Sequence, residues 1–193
     1  MIRAWIEREG RVLGPEFLRV DGFLNHRIAP GFIEAVGEGL ADALSGCRAT
    51  CVLTAEAAGN VVAYELARRI GARALYAKKG RASTMASPMT RRILSPTKGA
   101  ETSLSVSGEY LSKPERVVVV DDFLFRGTTS AALADMVRES GAQLVGFGFV
   151  IEKAFAGGRS KLEPYGVPIV SLVSIDGMNP GTGEIRFSEE AAG

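Results

Sequence analysis

The sequence predicts an α/β fold, a parallel doubly wound core sheet flanked by helices. Three observations predict it. Residues 117–120 are four consecutive valines, the pattern of a strand buried on both faces, as in a parallel sheet. Apolar strand-like runs alternate with helix-like ones from residue 49 to residue 173, which argues right-handed βαβ crossovers. A chain of 193 residues with 46% hydrophobic content can also build one compact domain around a substantial core.

Each element has its own justification. Residues 1–10 can form a short amphipathic helix with Ile2, Trp5 and Ile6 turned to one side. The segment EFLRVDGFLNHRIAP (16–30) is irregular, has apolar anchors at Phe17, Leu18, Val20, Phe23 and Leu24, and lies outside the βα repeat. Pro30 can start a helix over 31–44 that Gly46 ends. A strand follows over 49–55, then a helix over 60–70 ended by Gly71, and a second strand over 74–77. From 78 to 107 the chain turns polar and Ser/Thr-rich. Within that stretch 91–94 and 103–106 can pair as a ribbon around the turn SPTKG. So long a loop in a compact domain is either disordered or a functional lid. Next come the valine strand, ending on Asp121 and Asp122, and a helix over 130–140 closed by Gly141. A strand over 144–151, a short helix over 158–163 and a strand over 168–173 finish the sheet. The tail, 181–193, adds an edge strand at 185–187 and then frays. The organisation is one domain: helix and irregular segment (1–46), core (47–178) with a flexible loop (80–107), and tail (179–193).

Composition bounds the function. Lys and Arg number 23 against 22 Asp and Glu, for a net charge of +1, so nothing in the balance calls for a nucleic-acid partner. No apolar run approaches the roughly 20 residues that span a bilayer. The first residues alternate charged and apolar side chains without a signal-peptide core, so the cytoplasm is the expected location. Cys47 and Cys51, the only cysteines, are expected to be reduced, partly buried thiols.

The stretch that concentrates chemistry is VVVVDDFLFRGTTS (117–130). A strand, a turn through Gly127 and two threonines, and a helix N-terminus together make an anion site. Unpaired amides converge there, the helix dipole favours negative charge, and Gly127 permits close backbone approach. Two carboxylates beside such a site would repel a phosphate. They make sense if they accept hydrogen bonds from neutral hydroxyls next to it. A ribose 5-phosphate fits, with its phosphate in the turn and its 2- and 3-hydroxyls on Asp121 and Asp122.

This stretch resembles the phosphoribosyl-pyrophosphate signature of the type I phosphoribosyltransferases: apolar strand, two acids, a five-residue phosphate loop, a helix. Together with FLNHRIAP, SPTKGAETSLSVSGEYL and GFGFVIEKAFAGGR, it extends the likeness over about residues 12–175, and narrows it to the bacterial xanthine phosphoribosyltransferases. The resemblance implies the type I phosphoribosyltransferase fold, with the N-terminal segment as a hood and the polar stretch as a flexible loop. It implies a purine-salvage transfer from phosphoribosyl pyrophosphate to xanthine, giving xanthosine monophosphate and pyrophosphate. Mg²⁺ carried on pyrophosphate and ribose oxygens and a homodimer are implied as well. The phosphate loop maps to Phe125, Arg126, Gly127, Thr128 and Thr129. Asp121 and Asp122 take the catalytic positions, holding the ribose and stabilising positive character near C1. Base contacts map to Leu18, Asn25 and Lys153.

Other positions gain meaning beside it. Ligands of open α/β sheets sit at the carboxyl ends of the strands. Glu56, Ala57, Ala58 and Gly59 form the turn after the first sheet strand, which in the resembling family holds pyrophosphate; small residues there also simply tighten a connection. Lys78 and Lys79 end the next strand, where cations suit a leaving pyrophosphate, although a solvated basic turn has the same composition. Lys98, in the lid turn, is a candidate cation for pyrophosphate or an exposed lysine. Lys153 can present an ammonium to a purine carbonyl with Phe155 near for stacking, or pair with Glu152. His26 fits hood packing or a backbone hydrogen bond better than general-base work. The loop departs from the xanthine pattern, which often has a small residue, Asn and Gln where this chain has Phe125, Arg126 and Thr128. Its Gly-Thr-Thr version is nearer the wider class, adenine enzymes included. Adenine or hypoxanthine and guanine therefore stay open as the base. A non-catalytic sensor of phosphoribosyl pyrophosphate also stays open. Such regulators add an N-terminal DNA-binding domain, for which the 45 residues before the first βα unit are expected to leave no room.

Overall fold

The computed structural model describes residues 1–80, 85–94 and 101–189. An eight-stranded mixed sheet carries the chain. Its centre is five parallel strands: β3 (Cys51–Ala55), β4 (Arg73–Lys79), β7 (Arg116–Leu124), β8 (Gln143–Lys153) and β9 (Ile169–Met178). Antiparallel strands extend it at both edges. β10 (Ile185–Phe187) pairs with β9, while β6 (Glu101–Ser107) pairs with β4 and with β5 (Pro88–Leu94). The order is β10-β9-β8-β7-β3-β4-β6-β5.

The valine run explains why β7 is central. Period-two alternation sends Val118 and Val120 to one face, where they join Val52, Val62 and Val150. Val117 and Val119 go to the other, with Leu53, Leu133 and Phe147. All four are fully buried. Helices α2 (Pro30–Ala43) and α3 (Gly59–Ile70) cover the first face, and α4 (Thr128–Glu139) and α5 (Gly158–Leu162) the second. On β8, Gly146 and Gly148 alternate with Phe147 and Phe149. A Cβ on Gly148 would lie 3.0 Å from Leu44 and 3.2 Å from Leu40, so the glycines let α2 and the turn after it settle on the sheet.

The N-terminal 29 residues are a separate layer over one end of the sheet. Helix α1 (Ile2–Glu9) leads to a small hairpin, β1 (Arg11–Val12) with β2 (Leu18–Arg19), and then to one wide helical turn, Asp21–Asn25. A cluster of Trp5, Phe23 and Phe32, with ring centroids 4.8 to 6.0 Å apart, fastens this layer to α2. Edge-to-face aromatic contacts of this kind add to the area they bury.

The predicted elements are found, with differences at their ends. The ribbon of 91–94 with 103–106 exists and is longer, seven residues on each side. Its turn, 95–100, and the end of the tail, 190–193, lie outside the described residues. β7 does not stop at the two acids as expected: it continues through Asp121 and Asp122 to Leu124. β8 runs on to Lys153 beside it, so Phe123 pairs with Ile151 and Leu124 with Glu152. The acids therefore stand on a rigid strand. The last parallel strand likewise runs to Met178 rather than Val173, because β10 returns along it. Cys47 and Cys51 are free and buried. Burial pushes the Cys51 thiol up to about 12, and Glu115 adds to that.

Candidate active site

A cavity of about 440 Å³ opens at the carboxyl ends of β3, β4, β7 and β8. Each wall comes from a different element. The floor on one side is the turn Phe125–Thr129 leading into α4. Gly127 takes a left-handed conformation, φ +68°, and closes the first helical hydrogen bond through its carbonyl to Ala131 N–H, 2.9 Å. The amides of Gly127, Thr128, Thr129 and Ser130 precede that bond and so have no helical partner. They face the cavity with the positive end of the helix dipole behind them.

Asp121 and Asp122 follow each other on β7. Asp122 N–H donates to Asp121 Oδ1 (2.9 Å), and Phe123 N–H donates to Asp122 Oδ1 (3.0 Å). Burial, and then the adjoining Asp122 carboxylate, push the Asp121 carboxyl well above the usual carboxylate range; the Asp122 N–H and Lys79 oppose this. Asp121 also presses on the start of α3. A Cβ at Gly59 would lie 2.9 Å from Asp121 Oδ1 and collide with Thr54 Oγ1. Only glycine lets the turn Glu56–Gly59 approach the acids so closely. The Glu56–Ala57 peptide in that turn is cis. The Glu56 carboxylate accepts the Lys79 N–H at 2.7 Å, tying this turn to the end of β4.

The opposite wall joins β8 to the hood. Lys153 Nζ lies 4.9 and 5.1 Å from the ring centres of Phe123 and Phe125, and donates to the Glu16 carbonyl at 2.5 Å. Burial lowers the Lys153 pKa, while Glu16 and Asp122 hold it up. Two further contacts close the hood over the acids. Asn25 Nδ2 donates to Asp122 Oδ2 at 3.1 Å, and the Glu16 carboxylate lies 3.7 Å from the Arg126 guanidinium. Leu18 is buried beneath them.

The structure brings together most of the residues singled out from sequence. Leu18, Asn25, Glu56, Ala57, Ala58, Lys79, Asp121, Asp122, Phe125, Arg126, Gly127, Thr128, Thr129 and Lys153 all line this one cavity. Gly59 packs just beneath it. Lys78 does not belong: it lines a second, smaller cavity with Tyr76, Met85 and Tyr110. Strand alternation sends the two lysines to opposite faces, and Lys79 is the one that lines the ligand cavity. Lys98 lies outside the described residues. Phe155 is not near Lys153 in a stacking role; it sits in the turn after β8, 40% exposed, and Phe123 and Phe125 flank the ammonium instead. Glu152 pairs with Arg159 rather than with Lys153. His26 is exposed and does not line the cavity, so its expected packing within the hood is not found. Sequence reasoning missed Glu16 and Phe123, and it missed Ile93, Thr102 and Leu104, which the ribbon contributes as a side wall. The signal for Ile93 and Leu104 was their place among the few large apolar residues of a polar, Ser/Thr-rich stretch.

A family profile described as the phosphoribosyl transferase domain matches residues 33–177. A xanthine phosphoribosyltransferase of Deinococcus deserti is 44% identical over 177 residues, covering 91% of this chain and 92% of that protein. One of Heliobacterium modesticaldum is 43% identical, covering 90% and 92%. Among solved structures, the adenine phosphoribosyltransferase of Thermoanaerobacter pseudethanolicus superposes with a TM-score of 0.67 at 28% identity, covering 75% of this chain and 81% of that one. APRTase from Giardia lamblia, complexed with 9-deazaadenine, reaches 0.77 at 15% identity, covering 90% and 97%. Fold, cavity and kinship agree: this chain belongs to the phosphoribosyltransferase family and has its type I fold.

Proposed function

We propose that the protein transfers the 5-phosphoribosyl group of phosphoribosyl pyrophosphate to N9 of xanthine, releasing pyrophosphate and forming xanthosine monophosphate. The observation that carries this is the convergence, in one cavity, of three chemically distinct subsites. They are an amide-lined helix start, two adjacent acids, and a lysine under a hood. In the reaction the bond from C1 to pyrophosphate breaks, N9 bonds to C1, and the base loses a proton.

Each group has a role in that transfer. The amides at 127–129, with Arg126 beside them, hold the 5-phosphate. Asp121 and Asp122 accept the ribose hydroxyls and stabilise positive character at C1. The turn Glu56–Gly59 and Lys79 receive pyrophosphate, whose charge grows as it leaves. Lys153 donates to the 6-oxo group of the base in place of the Glu16 carbonyl it now meets. The Asn25 amide donates to the 2-oxo group, which distinguishes xanthine from hypoxanthine and guanine. Hood and ribbon exclude the water that would intercept an oxocarbenium-like centre. The acids of the cavity are hard oxygen donors, and among the described residues no three His, Cys, Asp or Glu side chains gather into a metal cage. That donor set suits a Mg²⁺ ion brought in on pyrophosphate and ribose oxygens, its shell mostly water, where it would neutralise charge on the leaving group. A homodimer in the cytoplasm completes the proposal; sedimentation that finds only monomer removes the dimer.

Adenine is the second reading, favoured by the Gly127-Thr128-Thr129 loop. Its 6-amino group is a donor and would meet the donor Lys153, which argues for an oxo base. Pyrophosphate release with xanthine, guanine, hypoxanthine and adenine separates the readings. Xanthine should lead in kcat/KM, and Lys153→Ala should lower its use about a hundredfold while ribose 5-phosphate binding holds within about twofold. Preference for adenine, or equal losses in base use and ribose 5-phosphate binding, would contradict the assignment.

A further inference from the structure

We propose that the ion pair between the buried Glu152 and the partly exposed Arg159 is a positioning device for the phosphate loop, acting through the short helix on which that loop rests. The inference builds on the phosphate-loop reading above and assigns a task to residues outside the cavity.

The contact chain is continuous. Gly158, which opens α5, lies directly under the loop. A Cβ there would be 2.3 Å from the Phe125 carbonyl oxygen and 2.9 Å from Leu124. Gly127 presses back in turn, since a Cβ on it would lie 2.8 Å from the Gly158 carbonyl oxygen. Loop and helix thus meet backbone to backbone through two glycines, with no side chain between them to absorb a shift. Farther along α5, Lys161 Nζ reaches Thr128 Oγ1 at 3.5 Å. Where α5 goes, the amides of 127–129 must follow.

Arg159 fixes where α5 goes. Its Nε donates to Glu152 Oε1 at 2.9 Å and its Nη2 to Glu152 Oε2 at 2.5 Å, a bidentate fork. The same guanidinium donates through Nη1 to the Ile169 carbonyl (3.0 Å) and through Nη2 to Ser171 Oγ (3.4 Å). One side chain therefore pins α5 to β8 and β9 together. The Glu152 side chain is only 4% exposed, so removing Arg159 would leave a buried carboxylate without its fork of donors. Glu152 precedes Lys153 on β8, and strand alternation sends one toward α5 and the other toward the hood. Lys153 keeps its own anchor, the Glu16 carbonyl. The pair should therefore govern the phosphate end of the site and leave the base end largely alone.

The test uses the full chain with Arg159→Lys and Glu152→Gln. Lysine keeps the charge but cannot reproduce the fork and its two added bonds. Glu65→Gln serves as a control, because Glu65 bonds to Arg68 and Arg69 far from the loop. Calorimetry measures the Kd of ribose 5-phosphate, and steady-state kinetics the KM of each substrate. Both variants should weaken ribose 5-phosphate and raise the KM of phosphoribosyl pyrophosphate about tenfold or more, with the xanthine KM within about threefold. Glu65→Gln should lower Tm and leave both constants unchanged. Wild-type-like ribose 5-phosphate binding in Arg159→Lys and Glu152→Gln would overturn the positioning role, as would equal rises in both KM values. A wild-type protein that fails to bind ribose 5-phosphate would overturn the phosphate-loop reading, and this inference with it.

Discussion

At the scale of single residues, the site spends stability on chemistry, and Asp121 shows it. Its pKa is raised in the folded chain, first by burial and then by Asp122. The folded state thus holds a proton that the unfolded state gives up. Stability is full below the ordinary Asp value of about 3.9 and falls as pH rises toward the raised folded value. Asp121→Asn removes this penalty. At pH 7 the variant should melt higher by about 2–4 °C, the shift that 1 kcal/mol produces in a domain of this size, while kcat falls at least about a hundredfold. Thermal melts from pH 4 to 8 check it; a variant that melts lower at pH 7 would mean the acid is structural. Other residue-scale features were legible because the local pattern encodes them: the acids after the valines, and Lys153 at the end of an apolar run. Lys78 and Lys79 were not separable. One residue of register decides which face each takes, and strand ends cannot be read from sequence that finely. Glu16 was invisible for a different reason. It reaches Lys153 across 137 positions of chain, a distance no local pattern spans.

At the scale of elements, turns do the binding and strands set their height. The phosphate loop was readable from Gly127 and the threonines; what it rests on was not. Gly158 had no meaning in the sequence beyond a helix start, because its role is a backbone contact with a segment some thirty residues earlier. The glycine pair yields a prediction. Gly127→Ala forces a left-handed φ on alanine, costing about 1 kcal/mol, and brings its Cβ 2.8 Å from the Gly158 carbonyl oxygen. Gly166 has φ +69° and open space around it. Gly166→Ala should therefore lose only the backbone term, a few degrees in Tm, with kinetics unchanged. Gly127→Ala should lose at least as much stability and raise the KM of phosphoribosyl pyrophosphate about tenfold. Equal kinetics in the two variants would mean that the loop is not held by this contact. The ribbon is the complementary case. Its pairing was legible, but its part in the cavity wall was hidden, since only the docked ribbon shows that the face carrying Ile93 and Leu104 meets the acids. Arg91 ties the ribbon to α4 through Glu139 at 2.6 Å.

At the scale of the whole molecule, three layers converge on the carboxyl ends of the central strands. The parallel core supplies acids and amides, the N-terminal layer supplies a roof, and the ribbon supplies a side. The parallel α/β core was legible because alternating strands and helices admit few topologies. The hood's docking was not, because it rests on the aromatic cluster of Trp5, Phe23 and Phe32 rather than on any repeat. The account's central claim is that one crevice holds phosphate, ribose and base in a line. A crystal structure with xanthosine monophosphate tests that most directly. It should place phosphoryl oxygens on the amides of 127–129, ribose hydroxyls on Asp121 and Asp122, and the 6-oxo group on Lys153 in place of the Glu16 carbonyl. A nucleotide bound elsewhere, with Lys153 still on Glu16 and Asn25 still on Asp122, would contradict the account.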